Sequence, residues 1–156
     1  MYPANIGSLS IEQHIEILLT NYEYYFGENL LPADLSIVDA VEYSWNASFV
    51  IVSHGVQADP VFNFANKQAL ELFEMHFNGF TKLPSRKSAE QPSRLDRKRL
   101  LDEVLEYGCI SDYTGVRISS TGRRFFIKNA RVWNLYDEDQ AFYGQAASFK
   151  SWAYLN

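Results

Sequence analysis

Between Phe49 and Phe77 the chain reads Phe-Val-Ile-Val-Ser-His, breaks at Asp59-Pro60, resumes as Val-Phe-Asn-Phe-Ala, and then carries Ala69, Leu70, Leu72 and Phe73 at helical spacing. A short apolar run bounded by turn residues is a strand signal, so Phe49 to Ser53 is predicted as a strand and Val61 to Ala65 as its hairpin partner. Asn66 then sits where a helix must start. Its side chain can accept from an orphan backbone N–H of the first turn, a contact whose loss to Ala costs about 1 kcal/mol. Strand, turn, strand and capped helix within thirty residues leave few architectures open.

From Ser111 onward the hydrophobic period changes to two. Asp112 to Ile118 reads as a strand, Ser119 to Gly122 as a turn, Arg123 to Leu135 as a long strand, Asp137 to Gln140 as a second turn and Ala141 to Phe149 as the last strand. In the long strand, simple alternation puts Phe125, Ile127, Trp133 and Leu135 on one face and Phe126, Ala130 and Val132 on the other. Both faces of the sheet therefore need cover.

Helices supply it. Ser10 with Gln13 has the spacing of a capping box, and Ile11, Ile15, Leu18, Leu19, Tyr22 and Phe26 follow at helical intervals until Gly27. This amphipathic helix must bury its stripe on its own sheet or against the same helix of a second copy. His14 is placed on its polar side. A short helix over Ser36 to Tyr43 leads into the first strand and serves as connection and lid, and His76 falls at the end of the helix that Asn66 starts. Phe77 to Pro92 reads as loop or single helical turns. Ser93 with Asp96 offers another capping pattern, followed by a stripe of Leu95, Leu100, Leu101, Val104 and Leu105 closed by Gly108. Arg94, Arg97, Lys98 and Arg99 crowd its first turns, where the helix dipole favours acids, so partners among Glu90, Asp96, Asp102 and Glu103 are expected. The predicted class is α+β, with a five-stranded antiparallel sheet, central helices on one face and an N-terminal amphipathic helix. Residues 1–29 form a helical cap and residues 30–156 the domain proper.

Composition narrows the function classes. Cys109 is the single cysteine, which excludes an internal disulfide and any cysteine-cluster metal site and fits a reducing, cytoplasmic setting. No signal peptide and no apolar run of membrane-spanning length is visible. The net charge of −5 argues against nucleic acid as a partner, yet it is unevenly placed. Residues 1–81 hold one base against ten acids, whereas residues 82–131 hold twelve bases against six acids. That basic block is either a solvated surface or an anion-receptive pocket.

The layout resembles a PAS sensory domain, and the motifs make the resemblance narrower. Ser53-His54, Asp59-Pro60-Val61-Phe62-Asn63-Phe64-Ala65-Asn66, Ala69 to Glu74, Leu83-Pro84-Ser85-Arg86 with Ser88-Ala89-Glu90, Tyr113 to Phe125, Val132-Trp133-Asn134 and Gly144-Gln145-Ala146-Ala147 look like the MEKHLA domain family. The resemblance implies a PAS-like fold and a sensing or interaction role, and brings no established reaction with it. Such domains also close a class of plant homeodomain leucine-zipper regulators; no homeodomain or zipper heptads are seen here, so no DNA-binding role is implied. In light-oxygen-voltage relatives a reactive cysteine follows the central helix. The corresponding segment here, Leu83 to Glu90, has none. Flavin-adduct chemistry is not expected, flavin binding without an adduct stays open, and no cofactor is named by the sequence.

A PAS-type ligand space between sheet and central helices makes Phe73, Phe80, Arg86, Arg117 and Trp133 candidates, with His54 added because it ends the first strand beside Gly55. Each has a plainer reading. Phe73 and Phe80 fill core volume with or without a ligand. Arg86 either clamps a carboxylate or phosphate with its planar fork or pairs with Glu90. Arg117 is exposed, paired with Asp112, or turned to a ligand anion. His54 is a structural histidine, a ligand contact, or, paired with Asp59, a general base. The sequence thus points to a stand-alone sensory domain that binds a small or anionic molecule, dimerises, or does both. A ligand-free homodimeric interaction module is the alternative, and a small enzyme using His54 the third reading.

Overall fold

The computed structural model describes residues 1–155, with Gln91, Pro92 and Ser93 described by their place in a helix and not by their side chains. A hairpin of two residues per arm, β1 (Asn5–Ile6) and β2 (Leu9–Ser10), opens the chain. The helices are α1 (Ile11–Phe26), α2 (Ile37–Asn46), α3 (Lys67–Phe73), α4 (Phe77–Phe80) and α5 (Gln91–Tyr107), with a 3-10 turn at Ser85–Ser88. The remaining strands are β3 (Val50–His54), β4 (Phe62–Ala65), β5 (Cys109–Ile118), β6 (Arg124–Tyr136), β7 (Phe142–Phe149) and β8 (Ser151–Tyr154).

The sheet is antiparallel throughout, in the order β4-β3-β7-β6-β5, with β8 also on β6. β7 places Ser148 opposite Arg131, and β8 continues in the same register with Trp152 opposite Ile127. β8 is therefore the continuation of β7 beyond Lys150, and the sheet has five strand rows, as predicted.

Local signals position these elements. Ser10 and Gln13 form the reciprocal capping box of α1, at 3.2 and 2.9 Å, and Gly27 closes it in the left-handed region. Asn66 Oδ1 accepts from Ala69 N at 3.1 Å and from Ile51 N at 3.2 Å. Its Nδ2 donates to the carbonyls of Ser44 and Phe49. One fully buried amide thus starts α3 and fastens it to β3 and to the end of α2.

Two apolar layers sandwich the sheet. On one face the α1 stripe, Ile11, Ile15, Leu18 and Tyr22, packs with Ala40, Val41 and Trp45 of α2 on Ile51, Phe64, Trp133, Leu135 and Ala146. On the other, α3 and α4 bring Ala69, Leu72, Phe73 and Phe80 onto Val50, Val52, Phe62, Phe125, Ile127, Ala130 and Phe149, while Leu100 and Val104 of α5 meet Val132. The α1 stripe is thus buried on its own sheet, and α2 packs with it there, meeting α3 and α4 through Ser44 and Trp45 near its C-terminal end.

Three expectations need correction. His14 is fully buried, because Ile11, His14, Ile15 and Leu18 share one stripe at spacings of three and four. α3 ends at Phe73 with Glu74 in the left-handed region (φ 56°), so His76 precedes α4 instead of closing α3. In β6, Phe125 and Ile127 face the central helices together with Ala130 and Val132, and only Trp133 and Leu135 face α1. Asn129, at φ 52°, lies where the β5 and β6 registers slip, and the extra residue inverts the alternation beyond it.

Candidate ligand-binding site

The slip at Asn129 turns Ala130 and Val132 toward α5 and leaves room between helix and sheet. A cavity of about 70 Å3 lies there. Its floor is Val52 and His54 of β3, Gln145 and Ala147 of β7, Val132 of β6, and Tyr113 and Arg117 of β5. Its roof is Arg97, Leu100 and Leu101 of α5, with Ser85 and Ser88 of the 3-10 turn at one side and Phe73 at another. Drug-sized and cofactor-sized pockets run to roughly 300–1,000 Å3, and a single water needs about 10–15 Å3 of cavity. This space suits a few waters or one small ion.

α5 is fastened over the cavity at both ends. At its C-terminus, Asn134 Nδ2 donates to the carbonyls of Val104 and Leu105, and Gln145 Nε2 donates to Leu101 O at 3.2 Å and to Asn134 Oδ1 at 3.1 Å. Toward its N-terminus, Arg97 Nη2 donates to Ser85 Oγ. The buried face of α5 is Arg97, Leu100, Leu101 and Val104, spaced i, i+3, i+4, i+7, and Leu95 is 59% exposed. An arginine thus occupies a place in the stripe that the sequence reading gave to a leucine. The helix starts at Gln91, and the cap expected from Ser93 lies outside the described residues. Of the neighbouring bases, Lys98 pairs with Asp102 at 2.9 Å, and Arg94 Nε donates to Ala89 O.

Of the six expected site residues, His54, Phe73 and Arg117 border the cavity. Arg117 is only 7% exposed; its Nη1 donates to Val116 O at 2.9 Å, and its guanidinium lies 5.4 Å from the Tyr113 ring centre. It has no ion pair with Asp112. His54 is 8% exposed; Nδ1 lies 3.0 Å from Gly55 O, so it carries the proton and donates, and Nε2 keeps its lone pair. Burial is the main cause that lowers its pKa. Gln145 stands close enough to the ring to favour its charged form slightly, yet Nε2 has no partner at hydrogen-bond distance.

The other three lie elsewhere. Phe80 stacks on Phe62 with ring centres 4.1 Å apart and also meets Phe73, forming the aromatic layer behind the cavity wall. Arg86 is half-exposed and bound to Asp59 at 3.1 Å, while Glu90 approaches Arg124 at 3.7 Å. Trp133 faces α1, where Nε1 donates to Leu18 O at 3.2 Å and the ring meets Tyr22 and Phe26 edge-on. The pairing of Asp59 with Arg86 also separates it from His54, so the His-Asp couple needed for a general base is not formed.

Arg97 is the residue that sequence reasoning missed. It is 8% exposed, and its pKa is lowered to about 10, first by burial and then by the charge of Arg117. Among the described residues neither arginine has a carboxylate within ion-pair distance. Asp59 acts on Arg97 only from a distance, and its charge is balanced by Arg86. Tyr113, Ser85, Ser88 and Gln145 complete the polar lining.

The sequence profile of the MEKHLA domain matches residues 12–154. Among curated proteins, the homeobox-leucine zipper protein ATHB-14 of Arabidopsis thaliana is 25% identical over 162 residues, covering 97% of this chain and 19% of that protein. The homeobox-leucine zipper protein HOX29 of Oryza sativa subsp. japonica is 26% identical over 122 residues, covering 76% of this chain and 14% of that protein. The chain therefore spans less than a fifth of the length of these relatives. Among solved structures, a PAS domain from Colwellia psychrerythraea superposes with a TM-score of 0.62 at 12% identity, over 72% of this chain and 92% of that one. A light-oxygen-voltage domain studied with a flavin analogue gives a TM-score of 0.59 at 14% identity, over 79% and 87%. The fold is PAS-like.

Proposed function

Because the chain belongs to the MEKHLA domain family and has a PAS-like fold, we propose that it works as a sensory domain whose signal is a small molecule held between α5 and the sheet. The observation that carries this reading is the cavity walled by His54, Arg97 and Arg117, three polar side chains each more than nine-tenths buried. Burying such groups costs several kcal/mol unless they are paired, so a core with no binding role would favour apolar residues there. An occupant would touch α5 and four strands at once, and its arrival or departure would change how firmly α5 is seated. Buried charge around a small cavity is what recognition of a ligand requires, and the reading is therefore one of binding.

The alternative is a ligand-free homodimeric interaction module. It has no support from the α1 stripe, which is covered by its own sheet. Native mass spectrometry of freshly purified protein, with an ultraviolet-visible spectrum of the same sample, separates the two. A reproducible extra mass lost on denaturation supports the sensor. An unoccupied dimer that takes up no small molecule overturns it in favour of the interaction module.

A further inference from the structure

Two cations line one cavity, and among the described residues no carboxylate lies within ion-pair distance of either. Arg97 comes from the helical roof and Arg117 from the sheet, and Arg117 is near enough for its charge to work against that of Arg97. Like charges in a medium of reduced dielectric repel by several kcal/mol at close range, and each also loses hydration. A protein can hold such a pair when an anion joins it. His54 adds a second condition, since Nε2 presents a buried lone pair that asks for a donor. The cavity volume adds a third, since it is far below that of a cofactor pocket and suits a small oxyanion.

Resting on the sensory reading above, we infer that the site takes a small oxyanion with two negative charges and at least one O–H, gripped by Arg97 and Arg117 while His54 Nε2 accepts from that O–H. Hydrogen phosphate is the smallest species that meets all three conditions, and a small hydroxydicarboxylate shares the chemistry. Each guanidinium still has N–H groups beyond its one described hydrogen bond, and the planar fork suits a pair of oxygens on phosphorus or carbon. Sulfate is the informative contrast, because it matches phosphate in size and charge but has no proton to give His54. A site built around a hydrogen bond rejects the analogue that lacks it more strongly than one built on shape.

The test is thermal denaturation of the full chain at pH 8 and constant ionic strength, titrated separately with phosphate, malate, sulfate and chloride. Saturable stabilisation by phosphate or malate is expected, the better of the two naming the source, with sulfate at least tenfold weaker and chloride without effect. Arg97→Met and Arg117→Met should each weaken the response at least tenfold, and Arg86→Ala should leave it unchanged. Should either variant fail to fold, arginine Nε–H spectra of the wild-type protein decide: two resonances must shift with the same midpoint as the thermal response. The inference is overturned if neither oxyanion acts beyond chloride, if no arginine resonance moves, if the response survives both arginine variants, or if sulfate equals phosphate. A neutral molecule retained in native mass spectrometry, with no oxyanion response, sinks the oxyanion and leaves the sensory reading standing.

Discussion

His14 of α1 and Ser53 of β3 are joined through Nε2 and Oγ at 3.0 Å, inside the layer between the first helix and the sheet. The direction of that bond is fixed by its neighbours. Ser53 donates its hydroxyl proton to Asn63 Oδ1 at 2.5 Å, so it can only accept from His14, and Nε2 carries the imidazole proton. Nδ1 then accepts from the Tyr143 hydroxyl at 2.7 Å. Burial and the charge of Asp137 push the Tyr143 pKa up to about 12, which keeps that hydroxyl a donor. A second proton on His14 would turn the Tyr143 hydroxyl from donor to acceptor and leave a charge buried in an apolar layer.

Acid should therefore loosen the first helix. Burial lowers the His14 pKa from 6.5 to about 4, below its unfolded value. Its contribution to stability is fully present above pH 6.5 and is lost as pH falls from there toward 4, about 3 kcal/mol in all and about 2 kcal/mol by pH 5. His54, also lowered by burial, acts with the same sign. Urea midpoints at pH 7.5 and 5 should fall steeply in the wild type and less steeply in His14→Gln. Equal slopes would acquit His14.

Asn66 offers a test of cap against stitch. Asn and Asp are about equal as N-caps in exposed helices, so a pure capping role predicts a near-neutral Asn66→Asp. Here Nδ2 also meets two carbonyls, and aspartate would set a negative oxygen against them. Both Asn66→Ala and Asn66→Asp should cost about 3 kcal/mol, since each leaves buried groups unmet. Chemical denaturation distinguishes these outcomes directly.

How far the sequence could be read depended on whether a residue's role was local. The caps at Ser10 and Asn66 and the turn at Gly122 are written within four residues, and the structure keeps them, while the strand expected from Asp112 already begins at Cys109. The slip at Asn129 comes from pairing with β5, where Ile127 meets Gly115 and Ala130 meets Tyr113, so alternation alone assigned the faces of β6 wrongly. Arg97 was legible in principle: Arg97, Leu100, Leu101 and Val104 is a better helical stripe than one begun at Leu95. What hid it was its place in a basic cluster, for which carboxylate partners nearby in the sequence were expected. His14 was misplaced because a polar residue inside an apolar stripe was assigned to the solvent face.

Trp133 should therefore behave as a structural anchor and not as a ligand contact. Trp133→Phe removes the bond to Leu18 O and part of the ring packed on Tyr22 and Phe26, for about 1 to 2 kcal/mol. Because it lies on the α1 face, the variant should lose thermal stability while its phosphate midpoint stays within a factor of two of wild type. A large change in that midpoint would place Trp133 back at the site.

Gly144 and Gly122 both have positive φ, at 149° and 87°, but they differ in what surrounds them. At Gly122 a Cβ would meet nothing within 4 Å, so Gly122→Ala faces only backbone strain, about 1 to 2 kcal/mol. At Gly144 the Cβ would overlap the carbonyl oxygen of His54, a backbone atom that cannot rotate aside. β3 and β7 would have to part next to the cavity floor. Gly144→Ala should then cost about 3 kcal/mol or more and also weaken phosphate binding, by displacing His54. Measuring both alanine variants by urea denaturation and phosphate titration separates strain from collision, because Gly122→Ala should alter stability alone.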